Sequence, residues 1–191
     1  ASAENTIAAI STPPGSGGIG IIRISGERSL AILKKIFHPH DLNCRFKSHH
    51  LNYGRIRHPQ DGKIIDEVLA VYMRAPRTYT REDVVEVHCH GSFLILQQIL
   101  EIILAEGIRL AEPGEFTKRA YLNGRIDLTQ AEAVIDIINA RTERSLDIAA
   151  AHIKGEFRDC IVASRNALLS IMTLMEAAID FPDDVDPVQT R

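Results

Sequence analysis

Glu86, His88 and His90 are the residues of this chain whose types and spacing most suggest chemistry. They lie in a strand-like run over residues 83–90, where side chains alternate between faces. Val85, Val87 and Cys89 then share a core-like face, and Val84, Glu86, His88 and His90 share the other. Two imidazoles and a carboxylate suit zinc or iron, but the same spacing describes any polar sheet face. A polar pocket floor is the simpler reading, and no metal site is assigned. His38, His40, His49 and His50 read as surface loop residues. No Ser/His/Asp or Cys/His spacing supports a nucleophile, so no catalytic residue is assigned.

A second candidate is Gly15-Ser16-Gly17-Gly18-Ile19-Gly20, which matches G-x-G-x-x-G literally. A dinucleotide fingerprint needs a strand before it and a helix after it. Here Pro13-Pro14 precede it, and the strand-like Ile19-Gly20-Ile21-Ile22-Arg23-Ile24 follows. The segment therefore reads as a tight loop between two strands, with glycines taking backbone angles that other residues resist. A backbone approached by a ligand is the sharper alternative. No G-x-x-x-x-G-K-[ST] occurs in the 191 residues, so this stretch has no P-loop and should not hydrolyse GTP.

The elements that must hold these residues fall into two parts. Over residues 1–120, short β-branched runs are separated by Gly and Pro. Strands are expected over residues 6–10, 19–25, 51–58, 64–73 and 83–90, with Pro59-Gln60-Asp61-Gly62 as a hairpin loop. Helices are expected over 27–37 and 93–106, the second with Ser92 as N-cap and Gly107 just past its end. This mixture predicts an α+β domain with a mixed sheet. Residues 121–182 are expected to form a helical segment, with the helical pattern running from Asp127 onward. Asp127 and Gln130 have capping-box spacing, and Leu128, Ala131, Val134, Ile135 and Ile138 form one apolar face. A longer stripe from Leu146 to Ile179 keeps its phase through Gly155, which predicts one continuous helix ending at Phe181-Pro182. That helix cannot bury its stripe alone and needs partner helices or another chain. Residues 183–191 are acidic and linker-like.

Composition limits the function classes. Lys and Arg total 22 against 25 Asp and Glu, and the net charge of -3 gives no broad attraction for nucleic acid. At 45% hydrophobic content a core can be built. No run approaches the roughly 18 apolar residues that span a bilayer, and no signal peptide opens the chain, so no membrane role is expected. Three widely spaced cysteines, Cys44, Cys89 and Cys160, imply no disulfide framework and fit a reducing cytoplasm.

Four segments stand out together: Asn5-Thr6-Ile7, the stretch from Thr12-Pro13-Pro14 to Ile24-Ser25-Gly26, the stretch from Tyr79-Thr80-Arg81 to Cys89-His90-Gly91, and the stretch from Pro113-Gly114-Glu115 to Ala131-Glu132-Ala133. In this order and spacing they resemble the MnmE (TrmE) family of bacterial tRNA-modification GTPases. Glu176-Ala177-Ala178-Ile179-Asp180-Phe181-Pro182 resembles the segment that precedes the family's GTPase insertion. Arg81 and Ser92 depart from the pattern, standing where it has glycine.

The resemblance implies an N-terminal domain similar in fold to the folate-binding aminomethyltransferases, followed by the first part of a helical domain, with the GTPase domain absent from this stretch. It implies that residues 1–120 form a dimerising, folate-binding domain, and that 5-formyl- or 5,10-methylene-tetrahydrofolate is contacted by Arg23, Glu86 and, just beyond that span, Arg125. A carboxylate can accept two parallel bonds from a pterin edge, which suits Glu86. Arginines suit the carboxylates of the glutamate tail. The residues alone favour a salt bridge between an arginine and Glu86 inside the sheet. The resemblance further implies a homodimer working with the FAD-dependent MnmG on the wobble uridine of tRNA, with GTP, Mg2+ and K+ in the absent domain. Two other readings stand beside it: a free-standing folate-dependent one-carbon transferase, and a dimerisation scaffold with a vestigial pocket.

Overall fold

Alternation and helical periodicity are realised in two compact units, Ala1–Ile126 and Asp127–Arg191. The structure is a computed structural model and describes residues 6–41 and 43–180. The first unit is built on a seven-stranded sheet of order β3-β4-β5-β6-β2-β1-β7. Its strands are β1 (Ile7–Ile10), β2 (Gly17–Ser25), β3 (Phe37–Pro39), β4 (His50–Arg57), β5 (Ile64–Met73), β6 (Val84–Gly91) and β7 (Arg109–Leu110). The β1–β7 pair is parallel and the other pairs are antiparallel, so the sheet is mixed, as the sequence predicts. The two strands it does not predict, β3 and β7, span three and two residues, too few to show a period.

One face of the sheet is the core. Ile22 and Ile24 of β2, Val85, Val87 and Cys89 of β6, and Val68 and Ala70 of β5 point into it. They meet Ile32, Leu33 and Ile36 of α1 (Ser29–Ile36) and Leu96, Ile99 and Ile103 of α2 (Phe93–Ala105). Withdrawing this much apolar surface from water is the main stabilising term, at roughly 25 cal/mol per Å2 buried. Of the expected caps on α2, Gly107 takes φ 76° beyond its end, whereas Ser92 makes no side-chain capping bond.

The glycine-rich segment divides differently from the expectation. β2 begins at Gly17, two residues earlier than the side-chain pattern suggests, so only Gly15 (φ 135°) serves the loop. Gly20 and Gly91 are glycine for another reason. A Cβ on Gly20 would lie 2.8 Å from Leu96 Cδ1, and one on Gly91 would lie 2.5 Å from the Gly17 carbonyl oxygen. They let β2 approach α2 and β6 closely.

The second unit holds α4 (Leu128–Asn139), α5 (Glu143–Lys154) and α6 (Glu156–Asp180). The Asp127–Gln130 capping box is present, and a second, Thr142–Ser145, starts α5. The expectation of one continuous helix through Gly155 is overturned. Gly155 takes the left-handed conformation at φ 90°, and its N–H bonds to the carbonyls of Ala151 and His152, closing α5 before α6 begins. A stripe records which face is apolar and not whether the backbone is unbroken, so its phase survives a one-residue stop. The expected helix end at Phe181-Pro182 and the linker over 183–191 lie outside the described residues.

No residue of α6 is buried, and Leu168, Met172, Met175 and Ile179 are all more than half exposed. At 25 residues and with an 18-residue window of mean hydropathy 1.2, α6 is long and apolar enough to cross a membrane by length and composition alone. Counting uninterrupted apolar residues does not register this, because Arg165, Asn166, Ser170 and Thr173 interrupt the run. An apolar helix left uncovered needs another surface.

Candidate functional site

The polar face of the sheet carries the candidate site. In β2 the alternation that buries Ile22 and Ile24 turns Arg23 to the opposite face. Antiparallel pairing sets Arg23 directly across from Glu86 of β6. Arg23 Nε and Nη2 donate to Glu86 Oε1 at 2.8 and 2.7 Å. Glu86 Oε2 lies 3.3 Å from His88 Nε2, so both carboxylate oxygens are engaged. The ion pair that the residue types favour is therefore formed by Arg23 and not by Arg125. His90, next on the same face, turns to Asp66 with Nδ1 2.7 Å from Oδ1. Among the described residues no cluster of three or more His, Cys, Asp or Glu side chains has metal-binding geometry.

Arg125 reaches the same place from a helix end. α3 (Glu115–Leu122) closes with the N–H groups of Gly124 and Arg125 bonding back to the Tyr121 and Ala120 carbonyls, both at 2.9 Å. This is the Schellman pattern, and it needs the left-handed φ of 69° that Gly124 supplies. Arg125 emerges from that turn with its guanidinium 4.9 Å from the centroid of the Tyr79 ring. Arg23 lies 5.8 Å from the same centroid and 5.6 Å from that of Phe116. Both are cation–π distances. The Tyr79 hydroxyl is fixed 2.9 Å from Thr117 Oγ1 of α3.

Arg23, Glu86 and Arg125 thus line a single open cavity of about 570 Å3, together with Tyr79, Arg77 and Arg81. His49, expected as a surface loop residue, is exposed and stands at its edge, whereas His38 and His50 fall in strands. Tyr79, Phe116 and Thr117 were not singled out from the sequence as site residues. The signal for them was weak: each lies inside a motif segment, but nothing in a loop or a short helix tells which side chains face a ligand.

A buried ion network seats α3 against this face. Arg119 Nη1 donates to Glu82 Oε1 and Oε2 at 3.1 and 3.0 Å, and its Nη2 donates to Glu115 Oε1 at 3.1 Å. Arg109 Nη1 donates to Glu115 Oε2 at 2.9 Å. The Arg109 hydrogen bonds hold the Glu115 carboxyl down to about 2, helped by the Glu112 N–H and Arg119, against a burial that works to raise it. On the core side, burial chiefly pushes the Cys89 thiol up to about 11, so it stays protonated and unreactive at neutral pH.

Arg81 has φ 61°, in the left-handed region that favours glycine. The resemblance leads to an expectation of glycine here, and the angle found is one that glycine adopts without steric cost. Its Nη1 donates to the Asn123 carbonyl at 3.0 Å.

Residues 6–125 match the family described as GTP-binding protein TrmE N-terminus, and residues 128–191 match the MnmE helical domain. Curated relatives named tRNA modification GTPase MnmE include that of Desulfotalea psychrophila, 58% identical over 94% of this chain and 38% of its own length. Those of Carboxydothermus hydrogenoformans and Alkaliphilus oremlandii are 55% and 50% identical over 96% and 97% of this chain, and 41% of their own lengths. The chain spans about two fifths of these relatives.

Proposed function

This chain belongs to the MnmE family of tRNA-modification GTPases, and on that premise we propose that it is the folate-binding and dimerising part of such an enzyme. In this reading the whole protein is a cytoplasmic homodimer. It works with MnmG to add an aminomethyl or carboxymethylaminomethyl group to carbon 5 of the tRNA wobble uridine. GTP, Mg2+ and K+ act in a domain outside these residues, and partner helices or another chain cover α6.

The observation that carries the reading is the convergence of Arg23, Glu86 and Arg125 on one cavity. The donor set fits a reduced folate. At about 570 Å3 the cavity is within the usual range of ligand sites, roughly 300–1,000 Å3. A carboxylate on its floor can accept from a pterin edge, the Tyr79 ring offers an aromatic wall, and guanidiniums can hold the tail carboxylates. Bound there, the folate would supply the one-carbon unit. The protein's own residues bind and orient it. Glu86 accepts from the pterin, Arg23 and Arg125 hold negative charge beside it, and Tyr79 sets the position of both guanidiniums. Sharing Glu86 between the pterin and Arg23 requires that the ion pair loosen on binding.

Thermal denaturation tests the reading, because only a ligand that binds the native state stabilises it. Millimolar 5-formyltetrahydrofolate should raise Tm, and millimolar GTP should leave it unchanged. No folate-dependent rise would overturn the assignment and leave the vestigial-pocket reading in its place, and a GTP-dependent rise would contradict the reading that these residues hold no GTP site.

A further inference from the structure

The folate reading asks for two or three charged residues, yet the cavity holds more positive charge than that reading uses. Arg23, Arg77, Arg81 and Arg125 line it, with Glu86 the only carboxylate among the described residues that line it, in a chain whose net charge is -3. Arg23 is matched by Glu86. Among the described residues, none of Arg77, Arg81 and Arg125 lies within ion-pair distance of a carboxylate. Three uncompensated guanidiniums at the opening of one cavity make a local positive field that the average composition hides.

Arg81 is held at φ 61°, in the left-handed region that suits glycine and is unfavourable to an arginine. Strain kept at a cavity edge points from the outlier toward a use. The Arg81 bond to the Asn123 carbonyl ties the guanidinium to the end of α3, two residues before Arg125. That tie fixes two of the three cations relative to each other.

We propose that Arg77, Arg81 and Arg125 form a subsite for an oligo-γ-glutamate chain, so that this protein prefers folates carrying several glutamates over the monoglutamate. The inference rests on the folate reading. A monoglutamyl folate presents two carboxylates, and each further γ-linked glutamate adds one more, which the extra arginines can meet at the open side of the cavity. Guanidiniums suit this task because their planar forks pair with carboxylates and stay charged at any working pH.

The test is calorimetric titration of 5-formyltetrahydrofolate bearing one or three γ-linked glutamates into the wild-type chain, Arg81→Gly and Arg77→Gln. At low salt the triglutamate should bind the wild type about tenfold more tightly, as expected for two added exposed charge pairs. That ratio should fall to about threefold in either variant, and should collapse toward one at high salt for every protein. Arg81→Gly relaxes the backbone, so its fold should survive; should Arg77→Gln or Arg81→Gly fail to fold, the wild-type ratio decides alone. Equal wild-type affinity for the two folates overturns the subsite and leaves the folate site standing. A tenfold preference that both variants retain also overturns it. Failure of both folates to bind removes the folate reading and the subsite with it.

Discussion

Replacing Glu115 by glutamine removes the negative charge around which α3 is seated. In the wild type Glu115 accepts from both Arg109 and Arg119 and is only 9% exposed. The Arg109 hydrogen bonds hold its carboxyl down to about 2, well below the usual carboxylate range. At 1.36 kcal/mol per unit, that depression sets a ceiling of roughly 3 kcal/mol on what the ionised group adds to stability. Removing one member of a buried pair costs about 3–5 kcal/mol, and glutamine keeps one acceptor, so a loss of about 2–3 kcal/mol is expected. The folded value is depressed, so the contribution is complete above the unfolded pKa near 4.5 and is lost as pH falls toward 2. Urea unfolding of wild type and Glu115→Gln, followed by far-ultraviolet circular dichroism, should show the full gap at pH 7. The gap should narrow below pH 4.5 as the wild-type carboxyl protonates. Other carboxylates titrate in both proteins and cancel in the difference. A gap below about 0.5 kcal/mol at pH 7, at equal denaturant slope, would refute the claim that this network seats α3.

Two further outcomes follow. Gly155→Ala should lower Tm and helix content, because alanine resists φ 90° at a cost of about 1–2 kcal/mol; a continuous helix would instead be stabilised by about 1 kcal/mol. The chain should sediment as a dimer or larger species at micromolar concentration, and a clean monomer at high concentration would count against assembly through these residues.

What the sequence reveals depends on how local the determining physics is. The two faces of β6 were legible because a period of two is fixed by the backbone, and Glu86 duly turns away from Val85, Val87 and Cys89. The Asp127–Gln130 box was legible because its partners are three residues apart. Glycine at position 81 was expected only from the resemblance, since nothing in Arg81 or its neighbours announces the left-handed angle found there. Gly155 misled because a continuing stripe hid a helix stop. Pairings across long separations were not legible. Nothing local ties Arg119 to Glu82, or Tyr79 to Thr117, and the loop that brings Arg77 and Arg81 to the cavity has no period to read. That Arg23, and not Arg125, would take Glu86 as its partner depended on the register of β2 against β6, which the side-chain pattern alone leaves undetermined.

Glu86 is the residue on which the folate assignment turns, and Glu86→Gln tests it with the smallest change of shape. Glutamine converts one acceptor into a donor, so one of two pterin bonds becomes a donor facing a donor, and the charge partner of Arg23 is lost. Loss of a charge-assisted bond of this kind costs about 1.5–3 kcal/mol, or one to two decades in affinity. Arg125→Lys should cost less, since the charge survives while the fork is lost. Calorimetric titration of 5-formyltetrahydrofolate into the wild type and Glu86→Gln, each shown folded by circular dichroism, reads this directly. The account predicts measurable binding to the wild type and a Kd at least tenfold weaker for Glu86→Gln; equal affinity of the two proteins would contradict it.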